Sequence, residues 1–147
     1  MSLMSDTVEQ DGHSQIPDHP AGHLGDRGRM ASAVSNAIVR LFAEYLGRGP
    51  TKARAIVTGP AVMVILEETL TKAERKLIES GLGSSVRETR RLLQDTMREE
   101  MVTAVEDLTG RKVVGFLSDH QLEPDVSMES FVFERQPASE DGDRPQA

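Results

Sequence analysis

The residues with the most chemical potential lie on one stretch of charged sequence. Arg87, Arg90, Arg91, Gln94 and Arg98 fall within an arc of about 100° if the chain is helical there. Arginine forks bind carboxylate or phosphate in bidentate fashion, so Arg87, Arg91 and Arg98 are candidate contacts for an anionic ligand or an acidic partner. The plainer reading is a solvated helix face. Glu88, Asp95 and Glu99 are interleaved, and Arg91–Asp95 and Asp95–Arg98 have the spacing of intrahelical ion pairs.

A second constellation is Asp119, His120, Glu123 and Asp125. Carboxylates with an imidazole suit a divalent cation or a hydrolytic centre. Their spacing matches no calcium-loop or zinc pattern, and Pro124 with the aspartates suits a turn. Gly47-Arg48-Gly49-Pro50 resembles a fragment of a phosphate loop. It follows a helix and precedes a strand, the reverse of what phosphate cradling needs, so a helix stop and turn is expected. His13, His19 and His23 offer only adventitious metal binding. Ser84, Ser85 and Ser118 lack a nucleophile motif, and Met63, Met97 and Met101 read as core filler. No catalytic residue, no metal site and no cofactor is expected.

These residues need elements to position them. Val34, Ile38, Leu41, Phe42 and Tyr45 recur at helical spacing, predicting a helix over 31–46 that Gly47 caps and Pro50 ends. Strands are predicted over 53–58 and 61–67, joined by Gly59-Pro60. In the second strand Val62, Val64 and Leu66 point one way, and Met63 and Ile65 the other. A strand apolar on both faces needs cover on both sides. Thr71–Glu74 has capping-box spacing and opens a short helix to about Ser80. Ser85–Glu88 has the same spacing and opens a long helix to Leu108, with Val86, Leu93, Met97, Met101, Ala104 and Leu108 as its apolar stripe. Strands over 112–118 and 126–134 follow, with 119–125 between them. The expected fold is α+β in the order α-β-β-α-α-β-β: an antiparallel sheet of two hairpins covered by helices.

Charge and composition set the limits. The 147 residues fit one domain over 29–135. The net charge of −7 is concentrated at the ends: residues 1–28 carry −4, 136–147 carry −2 and the middle only −1. The ends are expected to be disordered acidic tails, with Met1-Ser2-Leu3 a cloning remnant ahead of a natural start at Met4. A nearly neutral domain lacks the basic footprint of a nucleic-acid binder. Cysteine is absent, and neither a signal peptide nor a membrane span is recognisable, so a cytoplasmic location is expected. The doubly apolar strand makes a homodimer the preferred way to cover the second sheet face.

Several ordered segments carry a family resemblance: Tyr45-Leu46-Gly47-Arg48-Gly49-Pro50, Leu66–Glu74, the helix start Val86-Arg87-Glu88, Leu108–Val114, and then Ser118-Asp119 and Pro124-Asp125. Together, over residues 31–135, they resemble the bacterial MpsC-like family. The resemblance implies association with a sodium-translocating system that generates membrane potential, and it carries no catalytic residues across. The resulting expectation is a non-enzymatic cytoplasmic accessory or interaction domain, homodimeric, partnering a membrane transport system. The alternative is a small anionic-ligand binding or sensor module using the arginine face. A hydrolase or metal enzyme built on Asp119, His120 and Asp125 ranks third.

Overall fold

A computed structural model describes residues 21–137. The expected tails therefore lie, over 1–20 and 138–147, outside the described residues. The element order is α1 (Ala21–Leu46), β1 (Lys52–Val57), β2 (Ala61–Glu67), α2 (Lys72–Glu79), α3 (Gly83–Thr109), β3 (Val113–Gln121) and β4 (Val126–Phe133). The chain is α+β in the predicted order, with one four-stranded antiparallel sheet. Both predicted hairpins form. They join through β2 and β4, which makes the strand order β1-β2-β4-β3.

The helix ends follow local chemistry. Thr71 caps α2 through a full capping box: its hydroxyl accepts from the Glu74 N–H at 3.2 Å, and Glu74 Oε1 accepts from the Thr71 N–H at 2.9 Å. Gly110 ends α3 with φ of 67°, a left-handed conformation that costs glycine little. Two starts differ from expectation. Helix α1 begins ten residues earlier, at Ala21 rather than Ala31, through a stretch whose glycines and charges hide any apolar period. The spacing Ser85–Glu88 is not a cap. Helix α3 begins at Gly83, with Leu82 at the cap position and no side-chain hydrogen bond there.

Helices α1 and α3 pack on each other and cover the same face of the sheet, α1 over β1 and β2 and α3 over β3. The core between the layers holds Val34, Ile38, Phe42, Val62, Val64, Leu66, Met97, Met101, Val105, Phe131 and Phe133. Each such side chain contributes about 1.5–3 kcal/mol by leaving water. A satellite cluster of Leu70, Val86 and Leu122, with Ile78 against it, seats α2. The apolar stripe of α3 differs from the predicted one. Leu108 is exposed, whereas Arg90 and Gln94 are buried together with Val86, Met97, Met101 and Val105. The long helix is thus rotated so that two polar residues of the supposed arginine face turn inward.

The opposite sheet face has no helix over it among the described residues. Cross-strand register makes two central rows there: Ile56–Met63–Ser130–Leu117 and Arg54–Ile65–Met128–Asp119. Ile56, Leu117, Met128 and Val132 are exposed, Leu117 by 68%. This is the two-faced character read from Met63 and Ile65. Outer strand β3 is guarded along its backbone by α3: Arg98 donates to the Phe116 carbonyl at 3.1 Å, and Glu106 accepts from the Val113 N–H at 3.0 Å. Side chains on an edge discourage strand addition. No described helix is long and apolar enough to cross a membrane.

Candidate functional site

Strand alternation places Ser118 and His120 of β3 and Ser127 and Glu129 of β4 on the helix-covered face. Helix α3 lays Arg90 and Gln94 over them. A buried polar layer results, at the end of the core where the chain reverses between β3 and β4.

One half of this layer is an ion-pair relay. Arg90, 3% exposed, holds Glu74 through Nε at 2.6 Å and Nη2 at 2.8 Å. Nη2 also donates to the Thr69 carbonyl at 2.6 Å, and Nη1 to the Thr69 hydroxyl at 3.3 Å. The Thr69 hydroxyl contacts Asp125 Oδ1 at 3.3 Å, and Asp125 Oδ2 accepts from the Leu70 N–H at 2.8 Å. The relay ends at His120, whose Nε2 meets Asp125 Oδ1 at 2.8 Å. A carboxylate only accepts, so Nε2 carries the proton of that contact. Burial by itself would raise the Glu74 carboxyl, but the Arg90 hydrogen bonds, the Thr71 N–H and the arginine charge hold it below its usual range.

The other half centres on Glu129, which is fully buried. Its Oε1 accepts from Gln94 Nε2 at 3.0 Å and from the Ser127 hydroxyl at 3.0 Å. Its Oε2 has no partner, nor have Ser118 Oγ and His120 Nδ1. Burial pushes the Glu129 carboxyl up to about 7. The hydroxyls of Ser118 and Ser127 and the Gln94 amide pull it down, and the negative charge of Asp119 adds to the rise. Ser118 acts by its position directly across the strands from Glu129, not through a hydrogen bond of ordinary geometry.

Over this layer lies a cleft of about 300 Å³ between the first half of α3 and β3. Ser118 and His120 form its floor, and Ser84, Arg87, Glu88 and Arg91 stand along its mouth, with Asp119 on the same lining. Arg87 makes no hydrogen bond or ion pair with the described residues. Arg91 is paired on the surface, with Glu88 at 2.9 Å and Asp95 at 3.7 Å.

The predicted site residues therefore separate. Arg87 and Arg91 come together on the cleft. Arg98 does not join them: it lies farther along α3, donates to the Phe116 carbonyl and stacks over the Phe116 ring at 5.2 Å. Arg48 donates to the Leu70 carbonyl at 2.9 Å, a tie between the helix-stop turn and the next loop. Of the acidic cluster only His120 and Asp125 meet side chain to side chain, while Asp119 Oδ1 accepts from the His120 N–H at 2.8 Å. Strand β3 runs on to Gln121, so Asp119 and His120 sit on a strand and not in the predicted turn, and Glu123 is exposed. Among the described residues no group of three or more His, Cys, Asp or Glu stands together as a metal site. His13 and His19 lie outside the described residues, and His23 falls in the first turn of α1.

Glu129 is the functional-looking residue that sequence reading missed, and Gln94, read as part of the arginine face, is the one whose burial was not expected. The signal for Glu129 was there: it is in phase with Phe131 and Phe133, the inward positions of its strand. Gln94 offered none, because only the rotation of α3 turns it inward.

Comparison with known proteins places the chain in a wider group. It is similar to a protein of Bacillus subtilis (strain 168) described as "Uncharacterized protein YrhF", with 27% identity over 103 residues, covering 68% of this chain and 84% of that protein. No solved structure matches it. Residues 26–135, almost the whole described fold including the polar cleft, match the family described as "Na+-translocating membrane potential-generating system (MpsC)", and the chain belongs to that family.

Proposed function

We propose that this domain acts without chemistry of its own, as a dimeric accessory component on the cytoplasmic side of a Na+-translocating, membrane-potential-generating system. The open sheet face carries this reading. Its centre is apolar, its flanks are charged, and the arrangement is self-complementary. A two-fold axis along the strands, passing between Ile65 and Met128, lays β1 of one protomer over β3 of its partner. Register then sets Ile56 over Leu117 of the partner subunit, and Arg54 over Asp119 of the partner subunit. Every such contact occurs twice, as an isologous interface requires. Face-to-face sheets pack about 10 Å apart with strands about 30° from alignment, which this axis permits.

The interface is small. Four strands about 4.8 Å apart and seven residues long give a flat area of roughly 450 Å², to which side-chain relief adds. Standard interfaces bury about 800 Å² per partner. A dissociation constant on the order of micromolar is therefore expected.

The test joins solution mass to physiology. Light scattering on the full chain over a concentration series is expected to show a dimer, and Met128→Asp a monomer with unchanged circular dichroism. Cells lacking the gene are then complemented with either form, and membrane potential is measured at varied Na+. The native form restores the Na+-dependent potential and Met128→Asp does not. Full restoration by a monomeric Met128→Asp protein sinks the reading.

A further inference from the structure

We propose that the cleft between α3 and β3 is a binding site for a small oxyanion, a ligand bearing phosphate or carboxylate, gripped by Arg87 and Arg91 at the mouth and by Ser118 and His120 at the floor.

Three polar atoms of this layer are buried without a partner, on three side chains: Ser118 Oγ, His120 Nδ1 and Glu129 Oε2. Buried polar atoms in folded proteins are nearly always satisfied, and two of these, Ser118 Oγ and His120 Nδ1, belong to side chains on the cleft. His120, with its side chain 4% exposed, lines the cleft together with Ser118. Its ring is held by Asp125 through Nε2, which leaves Nδ1 as its remaining polar atom.

Donor chemistry selects the ligand. With Nε2 committed to Asp125, His120 offers a second N–H from Nδ1 when the ring is cationic. Ser118 offers a hydroxyl. Glu129, when protonated, carries its proton on Oε2, because Oε1 already accepts from Gln94 and Ser127. Its neutral form removes a buried negative charge from beside Ser118, which stands directly across the strand pair. The floor becomes a set of donors, and two guanidinium groups stand above it. An acceptor-only ligand with several oxygens matches that set.

Binding takes up a proton, since neutral Glu129 favours an anion beside it. The charged groups around Glu129 and His120 are Asp119 and Asp125 at the β3–β4 turn, Arg87, Glu88, Arg90 and Arg91 on α3, and Glu74 of α2 through Arg90. Affinity rises as the pH falls through neutrality, by up to about tenfold per pH unit.

The experiment is an NMR titration of the ¹⁵N-labelled full chain. The probes are inorganic phosphate, succinate, and potassium chloride at matched ionic strength. Saturable shifts are expected at Ser118, at His120, including its ring nitrogens, and in the first turns of α3. Whichever of phosphate and succinate saturates at lower concentration gives the ligand's anionic group. Arg87→Ala, a substitution of an exposed residue, weakens binding by about tenfold or more. Arg98→Ala leaves it unchanged, and affinity is greater at pH 6 than at pH 8. No saturable shift with either phosphate or succinate overturns the proposal. So do shifts matched by potassium chloride, or shifts indifferent to Arg87→Ala.

Discussion

Replacing Glu129 with glutamine should remove a pH dependence that the buried carboxyl imposes on the whole fold. In the folded chain this carboxyl is pushed up from 4.5 to about 7, mainly by burial. At about 1.4 kcal/mol per pH unit, the rise amounts to roughly 3 kcal/mol between the protonated and ionised forms. The folded state therefore keeps a proton that the unfolded chain releases. The contribution is fully present below the unfolded value near 4.5 and is lost as the pH rises to about 7, beyond which the deficit levels off. Glutamine mimics the protonated acid. Its oxygen can take the Gln94 and Ser127 hydrogen bonds, and its NH₂ stands where Oε2 now lacks a partner. Urea denaturation of both proteins at pH 5 and pH 8.5 gives the comparison. Glu129→Gln should gain roughly 2.5 kcal/mol on the native protein between the two pH values, the rest having been lost below pH 5. The neighbouring charged groups are common to both proteins, so their effects largely cancel in the difference. A stability difference that stays constant from pH 5 to 8.5 refutes the reasoning.

The relay and its cap make further demands on stability. Arg90→Ala leaves the Glu74 carboxylate, 13% exposed, without its main partner, and should cost about 3–5 kcal/mol by urea denaturation. Adding Glu74→Ala should recover part of that loss; full additivity of the two substitutions would show that the pair is not coupled. Thr71→Ala removes the capping hydroxyl and should cost about 1 kcal/mol. Glu74 is held low chiefly by Arg90, and such a carboxylate contributes stability above its unfolded value that is lost as the pH falls through its folded one. The Arg90→Ala deficit should accordingly shrink in acid, as a urea series from pH 7 to pH 3 would read.

Much of this protein follows from local chemistry and was legible in the chain. The order of the elements came from apolar period and turn residues, the start of α2 from Thr71 and Glu74, and the end of α3 from Gly110. The two-faced character of β2 came from strict alternation of apolar residues, because a strand sends neighbouring side chains to opposite sides whatever surrounds it. Tertiary packing decided the rest. That the two hairpins join through β2 and β4 is a long-range pairing with no local signature. The rotation of α3 was set by what it packs against: Arg90 turned inward because Glu74 and Thr69 wait for it, and Gln94 because Glu129 does. Those partners lie between 16 and 35 residues away. A charge pattern read on one helix cannot show which arginines are already engaged. Only the assembled fold separated Arg87 and Arg91, on the cleft, from Arg98, tied to strand β3. It also brought His120 and Ser118 beneath them, since β3 runs on past the predicted turn and carries both inward.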